Sequence, residues 1–316
     1  MIQNIAVAGA GISGMSTAYI LKQKGYSVTI FAKAFSPFIT SNKAAAFWFP
    51  YHVRNDQRGI EWCNTSYEYY KEFMSTPEAG ISMHQLLKVL RDDVEEDEPV
   101  WKQFLPPGSF CEVPDSELPK GIAKIYDVQV PLIETQLFLP WLSHQLQEQG
   151  VQLIERELTD FDELSAEYDL VVNCTGLGSR QLCKDDTIIP VRGQVALLSP
   201  GLVLPIYLDN EKPLYVVPRK DAIIVGGTFE PNELAEVTEP HRIEQILMNA
   251  YEVFPQLKEQ AVLGSWAGLR PYRPDVRLEA EPGKNIVHNY GHGGSGFTLA
   301  FGCAESVGKV VDEWNH

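Results

Sequence analysis

The chain has few cysteines and no apolar run long enough to cross a bilayer. No C-x-x-C pair and no metal-ligand spacing occurs among its five cysteines, Cys63, Cys111, Cys174, Cys183 and Cys303. An odd number of scattered cysteines argues against a disulfide framework and fits a reducing compartment. The first strand pattern begins at residue 2, which leaves no room for a signal peptide. We therefore expect a cytoplasmic protein without a metal site.

Basic residues are also scarce. Lys and Arg total 26 against 42 Asp and Glu, so the formal net charge is −16. Such an excess of negative charge argues against a nucleic acid or an anionic membrane as a partner. With 316 residues, of which 44% are hydrophobic, the chain can bury a large core, and its length suggests two lobes.

A glycine cluster near the start of the chain has the context of a nucleotide site. Residues 2–8 have the pattern of a buried strand, residues 12–24 that of a helix and residues 27–31 that of a second strand. Gly9-x-Gly11-x-x-Gly14 lies between the first strand and the helix. There it provides a tight turn, close approach of a pyrophosphate and helix–strand packing. The spacing predicts that this turn binds an ADP moiety.

The turn alone leaves the choice between NAD(P) and FAD open. Most dinucleotide sites have Asp or Glu at the end of the second strand, whereas this chain has Ala32 and Lys33. Lys33 fits either a 2′-phosphate, as in an NADP site, or a solvated strand end. A flavin ring needs further backbone contacts, which the loop at residues 44–46 and the turn at Gly293 and Gly294 offer. These segments favour FAD.

The remaining pattern divides the chain into two domains. Helical periodicity covers residues 61–74, 134–149 and 239–254, and a final helix begins near residue 297. Strand patterns cover residues 168–173, 191–198, 214–217 and 222–226. Residues 92–120 are expected to form a surface excursion whose acidic run, 92–98, is solvated. The predicted cofactor domain comprises residues 1–50, 141–192 and 276–316, and the substrate domain comprises residues 51–140 and 193–275.

Three arginines between prolines, Arg270, Arg273 and Arg277, suggest an anion ligand. The planar guanidinium of an arginine matches a carboxylate with two parallel hydrogen bonds. The alternative for any single arginine is a structural ion pair. His292, flanked by glycines, is expected to be a turn residue that packs beside the flavin rather than a catalytic base.

Several motifs resemble, in chain order and over nearly the whole sequence, the D-amino-acid oxidase family. They are Gly-Ala-Gly-Ile-Ser-Gly at 9–14, Ala-Ala-Phe-Trp-Phe-Pro-Tyr at 45–51, Val-Asn-Cys-Thr-Gly at 172–176, Arg-Gly-Gln at 192–194, Tyr-Val-Val-Pro at 215–218, Gly-Leu-Arg-Pro-Tyr-Arg-Pro at 268–274 and Asn-Tyr-Gly-His-Gly-Gly-Ser-Gly at 289–296. The resemblance implies an α/β fold in which an FAD-binding, Rossmann-like lobe of the glutathione-reductase type joins a second α+β lobe built on a mixed β-sheet.

The same resemblance implies roles for substrate-binding residues. Arg270 matches the arginine that pairs with the substrate α-carboxylate, Tyr215 the tyrosine that donates to it, and Gly294 the glycine whose carbonyl accepts from the α-amino group. Side-chain pocket positions correspond to Phe47, Phe49 and Val217. Taken alone, the aromatic run around Phe47 is equally compatible with core packing.

The predicted cofactor contacts extend over the two glycine clusters and the segments between them. They are Gly9, Gly11, Ile12, Ser13, Gly14, Lys33, Thr40, Ser41, Ala45, Ala46, Leu158, Thr175, Gly176, Arg277, Gly293, Gly294, Ser295, Gly296, Phe297 and Thr298.

The sequence departs from the family pattern in three places. Ser295 replaces a bulky residue, and Gly178 replaces an aromatic residue that often follows the motif at 172–176. The span between Arg192 and Tyr215 is short, and neither Tyr207 nor Glu211 matches the second tyrosine of that span. We therefore expect a reduced or missing active-site lid.

The activity implied is FAD-dependent oxidation of neutral D-amino acids to 2-oxo acids, ammonia and hydrogen peroxide, by hydride transfer from Cα to flavin N5 without a protein acid or base. O₂ is the expected acceptor, and a homodimer is possible. Four alternatives remain: a D-aspartate oxidase, a glycine or sarcosine oxidase, a flavoprotein dehydrogenase that does not use O₂, and a nucleotide-binding regulatory protein without turnover. A D-aspartate oxidase needs a second cation, for which Arg219, Arg54 and His52 are candidates.

Overall fold

The computed structural model describes residues 1–91 and 100–315 of the chain, and the acidic run predicted at 92–98 lies outside the described residues. Within the described residues, fourteen strands form one mixed sheet that extends through the whole molecule. None of the helices in this part of the chain is long and apolar enough to cross a membrane.

The helices are α1 (Ile12–Gln23), α2 (Gln57–Phe73), α3 (Thr135–Glu148), α4 (Asp162–Glu167), α5 (Ser179–Leu182), α6 (Pro240–Val253) and α7 (Gly296–Trp314). The strands are β1 (Asn4–Ala8), β2 (Ser27–Ala32), β3 (Ile81–Arg91), β4 (Phe110–Glu112), β5 (Ile122–Ile133), β6 (Gln152–Glu155), β7 (Leu170–Asn173), β8 (Ile189–Leu198), β9 (Ile206–Asp209), β10 (Leu214–Pro218), β11 (Ile223–Gly226), β12 (Glu230–Pro231), β13 (Val262–Ala280) and β14 (Ile286–His292).

One half of the sheet is parallel and consists of β14, β7, β1, β2 and β6, in that spatial order. The central residues of β14, β7, β1 and β2 are almost completely buried because helices cover the sheet, as is usual for parallel sheets, whereas those of the edge strand β6 are only partly buried. The strands come from the start, the middle and the end of the chain, as the sequence predicted. Helices α1 and α7 pack against each other and against α2 in this half of the molecule.

The other half of the sheet is mixed and is dominated by antiparallel pairs. Its longest pair is the antiparallel pair of β3 and β5. Strand β9 pairs in parallel with β3. Strands β9, β10, β11 and β8 then follow in that spatial order as antiparallel neighbours. The prediction of an α/β fold with a parallel nucleotide lobe and a mixed-sheet lobe is confirmed. The exact domain limits remain a prediction, because the sheet is continuous across both lobes.

Strand β13 connects the two halves, and the sequence analysis did not identify it as a strand. Its first part pairs with β8 and its last part pairs with β14, with a register shift between Tyr272 and Arg277. The prolines at 271 and 274 made the segment look irregular, although a proline is tolerated at such an irregularity. This strand carries Arg270 to the junction of the lobes.

Candidate active site

The turn before α1 requires glycine at its first and last motif positions. Gly9 has φ +108, and a Cβ there would overlap with the carbonyl oxygen of Cys174 at the end of the neighbouring β7. A Cβ on Gly14 would overlap with the carbonyl oxygen of Gly9. The spacing therefore allows the helix to begin directly against the strand, as the motif predicted.

The N-terminus of α1 has the features of an anion-binding site. Gly11 is its N-cap and supplies no side chain, and the first turn contains no acidic residue. The hydroxyl of Ser41 accepts from the backbone N–H of Ile12 at 3.0 Å, which brings the predicted cofactor residues 40 and 41 to the same turn. Unpaired N–H groups and the helix dipole at such a terminus favour a pyrophosphate.

The second glycine cluster forms a cradle at the start of α7. Gly293 has φ +56, and Gly294 is exposed beside Tyr51, whose ring carbons would lie 3.1 and 3.3 Å from a Cβ on that glycine. The Nε2 atom of His292 is buried there and has no hydrogen-bond partner within the described residues. Burial lowers the pKa of His292 to about 4, so the ring is neutral. A buried polar atom without a partner costs free energy that a bound group can recover. These residues therefore fit a flavin ring.

The segment that carries Phe47, Phe49 and Tyr51 is fixed to α7 by hydroxyl groups. The Thr298 hydroxyl donates to the carbonyl of Phe49 at 2.9 Å, and the Ser295 hydroxyl donates to the carbonyl of Tyr51. Ser295 and Thr298, which were predicted as cofactor contacts, thus use their hydroxyls to hold this segment.

Other predicted cofactor residues lie at the ends of parallel strands or nearby. Thr175 follows β7 and donates to the Asn173 side chain at 2.8 Å, and Gly176 has φ +55 next to Pro271. Lys33 is exposed just after β2, and Leu158 packs near Phe161 in a core cluster. The contacts of all these residues with the cofactor remain predictions.

Arg270 is the one arginine of its run that has no carboxylate partner within the described residues. Arg273 pairs with Asp185, and Arg277 pairs with Glu279 and Glu281. The guanidinium of Arg270 instead donates from Nη1 to the carbonyl of Thr228 at 3.1 Å. The alternative of a structural ion pair therefore applies to Arg273 and Arg277, and the predicted contact of Arg277 with the flavin stays a prediction.

Two glycines that the sequence analysis did not identify make room for the predicted substrate residues. The Arg270 guanidinium crosses Gly193 of β8, where a Cβ would overlap with it. The Tyr215 ring crosses Gly226 of the neighbouring β11, where a Cβ would overlap with that ring. The motif at 192–194 includes Gly193, but the crossing of a side chain over either glycine depends on strand pairing, which no local sequence signal could have revealed.

The Tyr215 hydroxyl and Arg270 face each other. Burial raises the pKa of Tyr215, and the charge and a hydrogen bond of Arg270 partly oppose that rise. Tyr51 has a pKa that burial raises and that the nearby Arg270 lowers. Both phenols therefore stay protonated at neutral pH and can donate hydrogen bonds. Tyr51, which follows the aromatic run around Phe47, lines the cavity beside Arg270 and Gly294.

The cavity at Arg270 has an aromatic mouth. His52, Phe229 and Tyr272 line it, with ring centroids 6.1 Å apart for His52 and Phe229 and 6.5 Å apart for Phe229 and Tyr272. Phe229 is 45% exposed at this rim. This rim offers an apolar surface to a substrate side chain.

The predicted pocket residues Phe47, Phe49 and Val217 are not among the residues that line this cavity. Phe49 is buried against Trp101, with ring centroids 5.3 Å apart. Val217 is fully buried on the same face of β10 as Tyr215, because alternate residues of a strand share a face. Phe47 is partly buried and pairs with Leu132. Their contact with substrate stays a prediction.

The three candidates for the second cation of a D-aspartate oxidase are paired with carboxylates or neutral. Arg219 is buried and pairs with Asp221, and Arg54 pairs with Asp56 and Asp275 at the cavity rim. Desolvation lowers the pKa of His52, which keeps this imidazole neutral at pH 7.

The short span after β8 contains no structure resembling a lid. Residues 199–213 form β9 and short connecting segments, and Tyr207 packs against Phe254 with ring centroids 5.5 Å apart. Tyr207 therefore does not face the cavity.

Comparisons with known proteins agree with this geometry. A family model described as FAD dependent oxidoreductase matches residues 4–309. A D-amino-acid oxidase from Rubrobacter xylanophilus is 35% identical over 318 residues, which cover 98% of this chain and 96% of that protein. A D-aspartate oxidase from Homo sapiens is 30% identical over 328 residues, which cover 99% of this chain and 95% of that protein. A crystal structure of glycine oxidase from Bacillus cereus has a TM-score of 0.80 at 18% identity and covers 99% of this chain and 96% of that one.

The chain belongs to the family of FAD-dependent oxidoreductases that this model defines. Its cofactor is FAD, as the two glycine clusters predicted. The choice that Lys33 left open between NADP and FAD is thereby decided.

Proposed function

We propose that this enzyme catalyses the FAD-dependent oxidative deamination of neutral D-amino acids to 2-oxo acids, ammonia and hydrogen peroxide. The observation that carries the proposal is Arg270, a cavity arginine without a carboxylate partner in the described residues that faces the Tyr215 hydroxyl beside Gly294. An arginine placed in this way is prepared for a carboxylate from outside the protein.

The chain's own residues bind and orient the substrate. Arg270 and Tyr215 donate hydrogen bonds to the α-carboxylate, and the Gly294 carbonyl accepts from the α-amino group. FAD, when bound, supplies the acceptor for the hydride that leaves Cα. With two substituents of Cα fixed, only one enantiomer directs its hydrogen toward the cofactor, so orientation provides much of the catalysis. The neutral, buried His292 is not needed as a base.

Neutral substrates are favoured by the state of the three candidate second cations, Arg219, Arg54 and His52. Arg219 and Arg54 already have carboxylate partners, and His52 is kept neutral by desolvation. Burying a substrate side-chain carboxylate without a partner would cost several kcal/mol. The aromatic rim of His52, Phe229 and Tyr272 instead suits apolar or aromatic side chains.

The alternative of acidic D-amino acids depends on Arg58. This residue lines the cavity, and its guanidinium lies over the Trp62 ring, 4.8 Å from the centroid, without a carboxylate partner in the described part of the chain. A human relative is named D-aspartate oxidase. Arg58 is therefore the residue to test if acidic substrates react.

A substrate panel tests the proposal. We expect D-methionine, D-phenylalanine and D-alanine to react much faster than D-aspartate, and L-enantiomers not to react, when peroxide release is followed at equal concentrations. A preference for D-aspartate that Arg58→Gln abolishes would show that the second candidate is correct. Equal activity on L-forms would overturn the proposed substrate orientation.

The electron acceptor and the assembly complete the proposal. Peroxide formation in air would support O₂ as acceptor, whereas turnover only with an added quinone would indicate a dehydrogenase. The homodimer and the cytoplasmic location stay predictions.

A further inference from the structure

The carbonyl that holds Arg270 belongs to a short segment outside the strand ladder. The antiparallel pairing of β8 with β11 stops at Val195 and Gly226, and the pairing of β8 with β12 starts at Arg192 and Glu230. The segment between β11 and β12, residues 227–229, therefore has no regular strand partner. Its peptide groups need another support to keep a defined orientation.

The side chain of Thr228 supplies a support in this gap. The backbone N–H of Gln194 donates to the Thr228 hydroxyl oxygen at 3.1 Å, in place of the missing ladder bond. The carbonyl of the same threonine accepts from Nη1 of Arg270 at 3.1 Å. One residue thus connects the carboxylate anchor to the middle of β8.

The support is itself firmly held. Gln194 is fully buried, its Nε2 donates to Glu230 at 2.9 Å, and its Oε1 accepts from the backbone N–H of Glu239 at 2.7 Å. Burial alone would raise the pKa of the Glu230 carboxyl, but hydrogen bonds from Thr228, Arg192 and Gln194 lower it. The carboxylate and the buried amide therefore hold both ends of the 227–239 segment.

We propose that Thr228 is a positioning residue for the substrate carboxylate: its hydroxyl fixes the peptide whose carbonyl orients the guanidinium of Arg270. This inference rests on the proposed function and adds to it a residue that does not touch the substrate. Because one guanidinium nitrogen is held by Thr228, the remaining N–H groups keep a fixed direction into the cavity. A displacement of about 1 Å in such a group can reduce the rate about a hundredfold.

The test compares Thr228→Val, which keeps the shape but removes the hydroxyl, with Thr228→Ser, which keeps the hydroxyl. For the Val variant we expect kcat/KM with D-methionine to fall roughly 10- to 100-fold, mainly through a higher KM, with unchanged FAD content. Its Tm should fall only modestly, because the buried N–H of Gln194 loses its acceptor. The Ser variant should remain within about threefold of the wild type. Thr29→Val, in buried strand β2 of the other lobe, is the matched control and should have no effect on KM.

A double-mutant cycle asks whether the hydroxyl acts through the arginine. In an Arg270→Met background, Thr228→Val should change the residual kcat/KM less than about twofold, since no guanidinium remains to be oriented. An equal loss in both backgrounds would overturn the positioning role. Loss of FAD or of the fold in Thr228→Val would also overturn it, because the hydroxyl would then be needed for the folding of the whole lobe rather than for the orientation of Arg270.

The two proposals fail in different ways. A wild-type enzyme that oxidises no D-amino acid would overturn the proposed function together with this inference. Normal wild-type turnover with an unchanged KM in Thr228→Val would overturn this inference alone.

Discussion

At the scale of the residue, the proposed site depends on Arg270, whose charge has no carboxylate partner in the described part of the chain. Arg273 and Arg277, in the same strand, form ion pairs with carboxylates. The guanidinium of Arg270 instead forms hydrogen bonds to the Thr228 carbonyl and to Tyr215. Two glycines, Gly193 and Gly226, leave the space that the Arg270 and Tyr215 side chains occupy. The geometry of the site thus depends on the lack of a side chain at Gly193 and Gly226 as well as on the side chains of Arg270 and Tyr215.

Replacement of Arg270 should remove the carboxylate anchor. For Arg270→Ala we expect kcat/KM to fall at least about a hundredfold, equivalent to roughly 3 kcal/mol of transition-state stabilisation. Arg270→Lys should not restore activity, because an ammonium group lacks the planar fork. Steady-state kinetics on FAD-loaded protein measure both variants, and Arg242→Ala, at an exposed position of α6, is the control. Near-normal kcat/KM in Arg270→Ala would refute the assignment.

At the scale of the element, the strand–turn–helix unit at the start of the chain is the most constrained. Its boundaries could be predicted closely from sequence, since residues 2–8 and 12–24 were expected and Asn4–Ala8 and Ile12–Gln23 are observed. The reason is local: the glycine spacing, the apolar strand and the helical period lie within one short stretch.

The elements that sequence reasoning missed depend on distant partners. Strand β13 was hidden by its prolines, and its strand character comes from pairing with β8 and β14. The support from Thr228 exists only because β11 and β12 leave a gap opposite Gln194. Motif matching could identify Arg270 and Tyr215, but the cavity lining of His52 and Phe229 required the folded chain.

Replacement of Gly14 by alanine should move the start of α1 away from the end of β1. The added Cβ of Gly14→Ala would overlap with the Gly9 carbonyl oxygen, which is backbone and cannot rotate away. We therefore expect loss of FAD binding, measured as flavin absorbance after gel filtration. Gly25→Ala, beyond the other end of the same helix, is the control: its φ of +90 makes Ala unfavourable, but no atom lies within 4 Å. Equal FAD content in both variants would contradict this account of the turn.

At the scale of the whole molecule, a single sheet joins the two lobes, and Arg270 lies where β13 passes between them. The glycine turn before α1 and the cradle before α7 lie at opposite ends of the sequence. They meet because Ser13 donates to the carbonyl of Asn289 at 3.1 Å and α1 packs on α7. A cofactor bound to both clusters therefore holds together segments that are far apart in the chain.

Binding of FAD should therefore stabilise the whole folded protein against unfolding. At a free FAD concentration about 100 times Kd, binding to the native state alone adds about 2.7 kcal/mol to the free energy of unfolding. Thermal unfolding of apoprotein should therefore shift to a higher Tm as FAD is added, and the Gly14→Ala variant should show no such shift. NADP should have no effect, because Lys33 is exposed at the end of β2 and the family cofactor is FAD. A rise in Tm with NADP but not with FAD would make Lys33 the candidate phosphate ligand and contradict the cofactor assignment at both glycine clusters.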